Sequence, residues 1–304
     1  MPQPLPPNAV ELVDALVDSL RDARMAQGLR CPWCKSDDVR GHGTFKGKSF
    51  TVRHRYRCCN DECNHQTFSD LTLTPAWRAK KVWLWKDYIR CMAEGLSIRQ
   101  TAARLGIHVS TAFRIRHAIL DWLREQDNEK LLGWTEVSTI PFTYSEKGQQ
   151  RSKKIEAFRK AFWRGKRRPR VVHVAMALDR LGHVITRRLG PDLLLARELV
   201  DAFRSRVSWA SFTGRAGPYS PIARFAKLMG APYLQADVKG RGKADLLTHM
   251  RQSDDYMRRL HVWLEPFRGV STKYLPNYLI WHRAVDVPLR HGFLATALRW
   301  PLVA

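Results

Sequence analysis

Acidic residues are scarce. The 304-residue chain holds 28 Asp and Glu against 52 Lys and Arg, a formal charge of +24, with a pI of about 10.3. Solubility asks for far less, so the excess points to a polyanionic partner. Long apolar runs are missing too. None approaches the ~18–20 residues that a bilayer-spanning helix needs, and nucleic acid is favoured over a membrane as the partner. The opening MPQPLPPNAV has no basic stretch followed by an apolar one, so no secretory signal is expected. There is no GxGxxG fingerprint of a dinucleotide site and no internal repeat. What remains is a globular composition, 44% apolar, long enough for two or three modest domains.

Cysteine is also infrequent, six in all, but most of it is clustered. Cys31-Pro-Trp-Cys34 is one CxxC knuckle, and Cys58-Cys-Asn-Asp-Glu-Cys63 supplies a second. Two short-spaced pairs separated by a hairpin's length of chain suit tetrahedral thiolate binding of Zn²⁺. Cys31, Cys34, Cys58 and Cys63 are the expected ligands. Cys59 is an alternative to Cys58, and His65 a weaker one. A disulfide pair or a redox CxxC explains four clustered cysteines less well in a reducing compartment. Four protein ligands close the site, so the metal would be structural, and it would supply folding energy that a ~40-residue module lacks. Cys91 stands alone in a helical run and reads as a small core residue.

The clearest motif is LSIRQTAARLGIHVSTAFRIRHAILDWL, 96–123. Ser97 can cap a helix with Ile98, Ala102 and Leu105 inward. Ala102 is small where two helices cross, and Gly106 permits a tight turn. Val109, Ala112 and Ile115 are expected to form the buried face of a second helix, capped by Ser110 or a neighbour. A preceding helix near 80–94 carries Val82, Trp85, Ile89 and Met92 at matching spacing. In a major groove the second helix would present His108, Ser110, Thr111, Phe113, Arg114 and His117. Arg114 best suits a guanine edge. A plain helical hairpin would share the spacing; the charge and the adjacent cysteine module favour DNA.

Residues 1–7 are Pro-rich. Asn8 to about Met25 form an amphipathic pattern that fits a helix packed on its own domain or a dimerisation helix. Between Lys147 and Arg170 lie eleven basic residues and one acidic residue, Glu156. This segment, with Arg151, Lys153, Lys154, Arg167 and Arg168, reads as a solvated linker or as a set of phosphate contacts. From 134 to 300 strand-like runs (171–178, 183–189) alternate with helical ones (193–206), an α/β pattern.

That order of parts resembles the DDE transposases of bacterial insertion sequences, of the type with a zinc ribbon, a helix-turn-helix and a ribonuclease-H-like core. The resemblance spans roughly residues 28–285. It is carried by RYRCCNDECNHQTFSDLTLTP (55–75), TEVSTIPFTYSEKG (135–148), VHVAMALDRLGHV (172–184) and, most specifically, FRGVSTKYLPNYLIWHR (267–283). It implies a multidomain α+β protein: a Pro-rich tail and helix (1–27), a zinc ribbon (28–75), a helix-turn-helix domain (76–130) and an α/β ribonuclease-H-like core (131–304). It further implies double-stranded DNA as partner, at terminal inverted repeats, a homo-oligomer when bound, and a bacterial cytoplasmic, nucleoid-associated location.

The resemblance also implies three metal-binding positions. The first strand carries Ser138 where the family has Asp, after Glu136-Val137. WASFTGRAGPYSPIARFAKLMG (209–230) sets Thr213 in the second acidic position, and HMRQSDDYMRRLHVWLEPFRGV (249–270) sets Asp254 in the third. Mg²⁺ or Mn²⁺ asks for hard anionic oxygens, which a hydroxyl does not supply. An enzyme that cuts poorly or not at all is therefore expected, and Mg²⁺ or Mn²⁺ would matter only if the core is active. Glu136, two residues from Ser138 on the same strand face, is the best compensating carboxylate. Asp179 reads as a hairpin cap, and Asp237 and Asp255 are further carboxylates with no support. A regulator recruited from such a transposase is the alternative reading.

Overall fold

A computed structural model describes residues 28–46, 52–69, 71–72, 84–125, 127, 129–147, 170–191, 194–236 and 250–291. The N-terminal helix, Val82, Asp237 and the basic residues Arg151, Lys153, Lys154, Arg167 and Arg168 lie outside these. The chain forms two compact units, one of Met1–Trp122 with Pro288–Ala304, the other of Leu123–Val287.

The first unit begins with a three-stranded antiparallel sheet, β1 (Val39–Lys46), β2 (Val52–Cys58) and β3 (Thr67–Ser69), in that order. Strands alternate faces every residue. One face carries Val39, Tyr56, Cys58 and Phe68, which join Cys31, Cys63, Leu29 and Trp33 in a small core. That core is too small to hold a module alone, which is where a metal staple belongs.

Three helices follow: α1 (Trp85–Ala93), α2 (Ile98–Arg104) and α3 (Val109–Glu125). Ser97 caps the start of α2, as the sequence predicts, and Gln100 completes a reciprocal capping box with it. Trp85, Ile89, Cys91 and Met92 are buried on α1, and Ala102 on α2. The Tyr88 hydroxyl donates to the Ala112 carbonyl at 2.6 Å, fixing α1 to α3.

The second unit is a mixed α/β layer structure. Its sheet runs β6-β5-β4-β7-β8, with β4 (Leu131–Thr143), β5 (Val171–Asp179), β6 (Val184–Pro191), β7 (Val207–Gly214) and β8 (Tyr233–Gln235). β4 is antiparallel to β5 but parallel to β7, and β7 is parallel to β8. The remaining helices are α4 (Ala196–Phe203), α5 (Pro221–Leu228), α6 (Arg251–Leu264) and α7 (Leu275–His291). β5 is buried along almost its whole length, because both sheet faces are covered. Val137, Ala175, Ala177 and Phe212 pack with Leu199, Phe203 and Phe225 from α4 and α5. Ile140, Val172, Val174, Met176 and Leu178 pack with Tyr256, Leu260, Leu275 and Leu279 from α6 and α7.

Two stretches that carry the sequence resemblance meet here. The Thr272 N–H donates to the Ser145 carbonyl at 2.9 Å, and the Ser145 N–H to Thr272 Oγ1 at 2.8 Å. Lys147 Nζ donates to the Arg268 and Gly269 carbonyls. A buried Asp127 carboxylate also binds Arg187 at 3.0 Å and Arg283, tying the start of the unit to β6 and α7. Burial alone would raise its pKa; the two guanidiniums overcome that and hold it low.

Candidate functional site

The chemistry-bearing residues fall into three places: the cysteine module, the α2–α3 pair and the α6-facing side of β4 and β7.

Cys31, Cys34, Cys58 and Cys63 place their sulfurs within 4.8 Å of one another. Sγ of Cys31 is 3.8 Å from that of Cys63, and Sγ of Cys34 is 3.6 Å from that of Cys58. A disulfide needs about 2.05 Å, so these are not bonded pairs. A tetrahedral ion with bonds of about 2.3 Å holds its sulfurs about 3.8 Å apart, so the four thiols fit one metal ion. Both knuckles are shaped by backbone bonds: Lys35 N–H to the Cys31 carbonyl at 3.0 Å, with Lys35 at φ 64°, and Cys63 N–H to the Asn60 carbonyl at 3.0 Å. Cys59 is not in the cluster, and Cys58 is. His65 instead stacks its ring on Trp33, centroids 4.4 Å apart. The Ser36 backbone bond draws the Cys34 thiol down to about 7. Cys58 has a lowering backbone bond at Asn60, but burial and the neighbouring thiols push it up to about 12. Four adjacent thiols resist joint ionisation, and a bound cation removes that conflict.

In the α2–α3 pair, the turn passes through Gly106 at φ 59°, a backbone state that glycine adopts without strain. The Ile107 and Gly106 N–H groups close it on Ala102 and Ala103. The cap expected at or near Ser110 is His108: its Nδ1 takes the Ser110 N–H at 3.2 Å and lies 2.8 Å from the Ser110 hydroxyl. Two expectations are corrected. Val109 is 44% exposed, because it sits on the open first turn, one turn before the buried stripe of Ala112, Ile115 and Ile119. His117 is only 7% exposed. The middle of α3 is widely buried, at Ile115, Arg116, His117, Ile119 and Leu120, and the His117 ring lies against Phe113, centroids 4.3 Å apart. The outward residues are therefore His108, Ser110 and Arg114, with Thr111 and Phe113 half-buried. Arg114 bends its Nε back to the Ser110 carbonyl at 3.3 Å.

Arg116, which sequence spacing leaves unremarked, is fully buried. It donates to the Leu96 carbonyl at 2.8 Å and to the Thr101 hydroxyl at 3.2 Å. It fastens the α1–α2 loop to α3.

On β4, residues 136, 138 and 140 share a face, and Ile140 shows that this face meets α6. Thr213 is the registered partner of Glu136 and lies on the same side. Glu136 and Thr213 are both 0% exposed. Ser138 Oγ is 3.2 Å from Ser253 Oγ on α6. The Ser253 N–H donates to Glu136 Oε2 at 2.7 Å, and Arg180 Nη1 to Glu136 Oε1 at 2.6 Å. Arg215, two residues beyond Thr213, forms an ion pair with Asp254. The positions Ser138, Thr213 and Asp254 are thus gathered with Glu136 on one side of the sheet, but both carboxylates are already held by guanidiniums. Burial raises the pKa of Glu136, and the Ser253 N–H and Arg180 oppose it. Asp179 is a hairpin cap, accepting the Leu181 and His183 N–H groups. Asp255 binds Arg258 on its own helix at 2.7 Å.

Residues 74–121 match the homeodomain-like domain family. Comparison with curated proteins gives no match. Among solved structures, a pre-cleavage Mos1 transpososome aligns over 71% of this chain and 79% of that one, at 11% identity and a TM-score of 0.22, too low to define a fold or an activity. Among the described residues, no helix is long and apolar enough to cross a membrane.

Proposed function

We propose that the chain is a DNA-binding protein of the insertion-sequence transposase type whose core no longer cuts DNA. One observation carries it: a capped, glycine-turned helix pair inside the homeodomain-like match, on a chain of charge +24. In this reading α3 enters the major groove, and Arg114 reads a base edge while His108, Ser110 and Thr111 position it. Arg151, Lys153, Lys154, Arg167 and Arg168 add phosphate contacts. Cys31, Cys34, Cys58 and Cys63 hold a structural zinc ion, which contributes folding energy and no reaction. Terminal inverted repeats are the DNA, bound by a homo-oligomer.

Two features support a ribonuclease-H-like core: the mixed sheet with β4 at its centre, and the bonding of Ser145 and Lys147 to 268–272. A pair of divalent ions does not fit this core. Ser138 and Thr213 offer neutral oxygens, and Glu136 and Asp254 are each paired with an arginine. The same observations favour the regulator reading, in which binding to element ends is the whole activity.

The test has two stages. Duplexes selected by the zinc-loaded protein from a random library should share a motif, and Arg114→Ala should relax it at one position. The selected duplex, incubated with Mg²⁺ or Mn²⁺, should then stay intact. Nicking that is lost in Glu136→Ala or Asp254→Ala would overturn the inactive-core reading.

A further inference from the structure

The three-stranded sheet has a second face, opposite the thiols. Antiparallel partners share a face, and Arg40 is opposite Arg57, Phe45 opposite Arg53, Arg57 opposite Thr67, and Arg55 opposite Ser69. Since the inner face takes Val39, Tyr56, Cys58 and Phe68, the outer one is Arg40, Phe45, Arg53, Arg55, Arg57 and two hydroxyl residues. The three strands contain no carboxylate. Among the described residues, Asp37, Asp38, Asp61 and Glu62 of this module lie outside the strands.

Arg40, Arg55 and Arg57 are exposed. Arg40 and Arg57 form no ion pair among the described residues, although like charges directly opposite each other on a sheet repel. Arg53, Arg55 and Arg57 recur every second residue, about 6.8 Å apart along the strand. A sheet face that concentrates one sign of charge and leaves a cross-strand repulsion in place is suited to a polyanion that relieves it. We propose that this face grips the phosphate backbone of double-stranded DNA as a second contact surface, separate from α3. The proposal rests on the DNA-binding reading above.

Backbone contact is favoured over base stacking by the one aromatic ring on the face. Phe45 is half-buried and covered by Arg55, whose guanidinium carbon is 5.0 Å from the ring centroid. The ring is not presented as a platform for unpaired bases, while the guanidinium it supports remains outward. Duplex DNA is favoured over RNA because the same unit holds the homeodomain-like match.

The test uses the full-length, zinc-loaded protein and a labelled duplex of arbitrary sequence, titrated over a range of salt. Each lost phosphate contact lowers the slope of log affinity against log salt by about 0.9. Arg40→Gln/Arg57→Gln should lower it by about 1.8, equally on arbitrary and selected duplexes, with zinc content unchanged. Its melting temperature should not fall and should rise slightly, since a repulsion is removed. A slope unchanged from wild type overturns the proposal while the α3 reading stands. Wild-type protein that binds no duplex overturns both. A variant that loses single-stranded DNA or RNA but keeps the duplex overturns the choice of partner.

Discussion

Arg180 places Nη1 2.6 Å from Oε1 of Glu136, a carboxylate with no exposed surface, on the strand where the family resemblance implies a metal ligand. Burying an ionised carboxylate is costly unless a cation or hydrogen-bond donors accompany it. Here a guanidinium and the Ser253 N–H do so, whereas Arg215 pairs with Asp254 out in solvent, where such a pair is weak.

Placing carboxylates at positions 138 and 213 should therefore not create a metal site by itself. Ser138→Asp/Thr213→Asp is expected to bind Mn²⁺ weakly, whereas the same pair combined with Arg180→Gln and Arg215→Gln should bind it well. Electron paramagnetic resonance of free Mn²⁺, with the cysteine site preloaded with zinc, measures both. Equal affinity in the two variants would show that the arginines do not bar the metal.

The cysteine cluster predicts a sharp contrast between adjacent residues. If the cluster holds zinc as proposed, Cys58→Ser should bind none and lose the order of the module, since such sites contribute of order 10 kcal/mol to folding. Cys59→Ser should keep one zinc per chain, because Cys59 lies outside the four-sulfur group. Zinc released to a chromophoric chelator, counted per chain, decides it; equal loss in both would mean that the ligand set is misassigned.

These two regions differ in how far the sequence reveals them. The thiol spacing sufficed for the four-sulfur cluster, because CxxC geometry is local. The cap at Ser97 and the turn at Gly106 were legible for the same reason. The period of α3 was legible, but not the extent of its buried face: Val109 looks like a core residue until the turn places it on an open rim, and His117 looks outward until the middle of the helix proves widely buried. Arg180, Arg215 and Ser253 carry no local signal. Their partners are 44, 39 and 117 residues away, and only the sheet order brings them together. The same holds for Asp127, which meets Arg283 across 156 residues.

The helix pair offers a stability test that spares its outward face. Gly106→Ala should cost about 1 kcal/mol, because a Cβ at φ 59° is strained although no atom lies within 4 Å of it. Arg116→Leu should cost more, about 2–3 kcal/mol, by leaving the Leu96 carbonyl and the Thr101 hydroxyl without their buried donor. Urea unfolding gives both values. A smaller loss in Arg116→Leu than in Gly106→Ala would show that this guanidinium is not what fastens the α1–α2 loop.

His282 makes the core sensitive to acid. It is 2% exposed, with Nδ1 3.0 Å from the Tyr256 hydroxyl and its ring edge-on to Trp263. Burial is the main reason its pKa is lowered to about 4; Asp286 opposes that and Arg259 assists it. In the unfolded chain the value returns to about 6.5. Between those limits the unfolded state binds a proton that the folded state does not, so stability falls as pH drops from about 6.5 toward 4. The loss from this one residue between pH 7 and pH 5 should be about 2 kcal/mol, from ~1.4 kcal/mol per pH unit. His282→Gln removes the titration and should lose correspondingly less over the same interval, whatever its stability at pH 7. Urea midpoints of the two proteins at both pH values make the comparison, and an identical acid loss in the variant would mean that His282 does not titrate in this range.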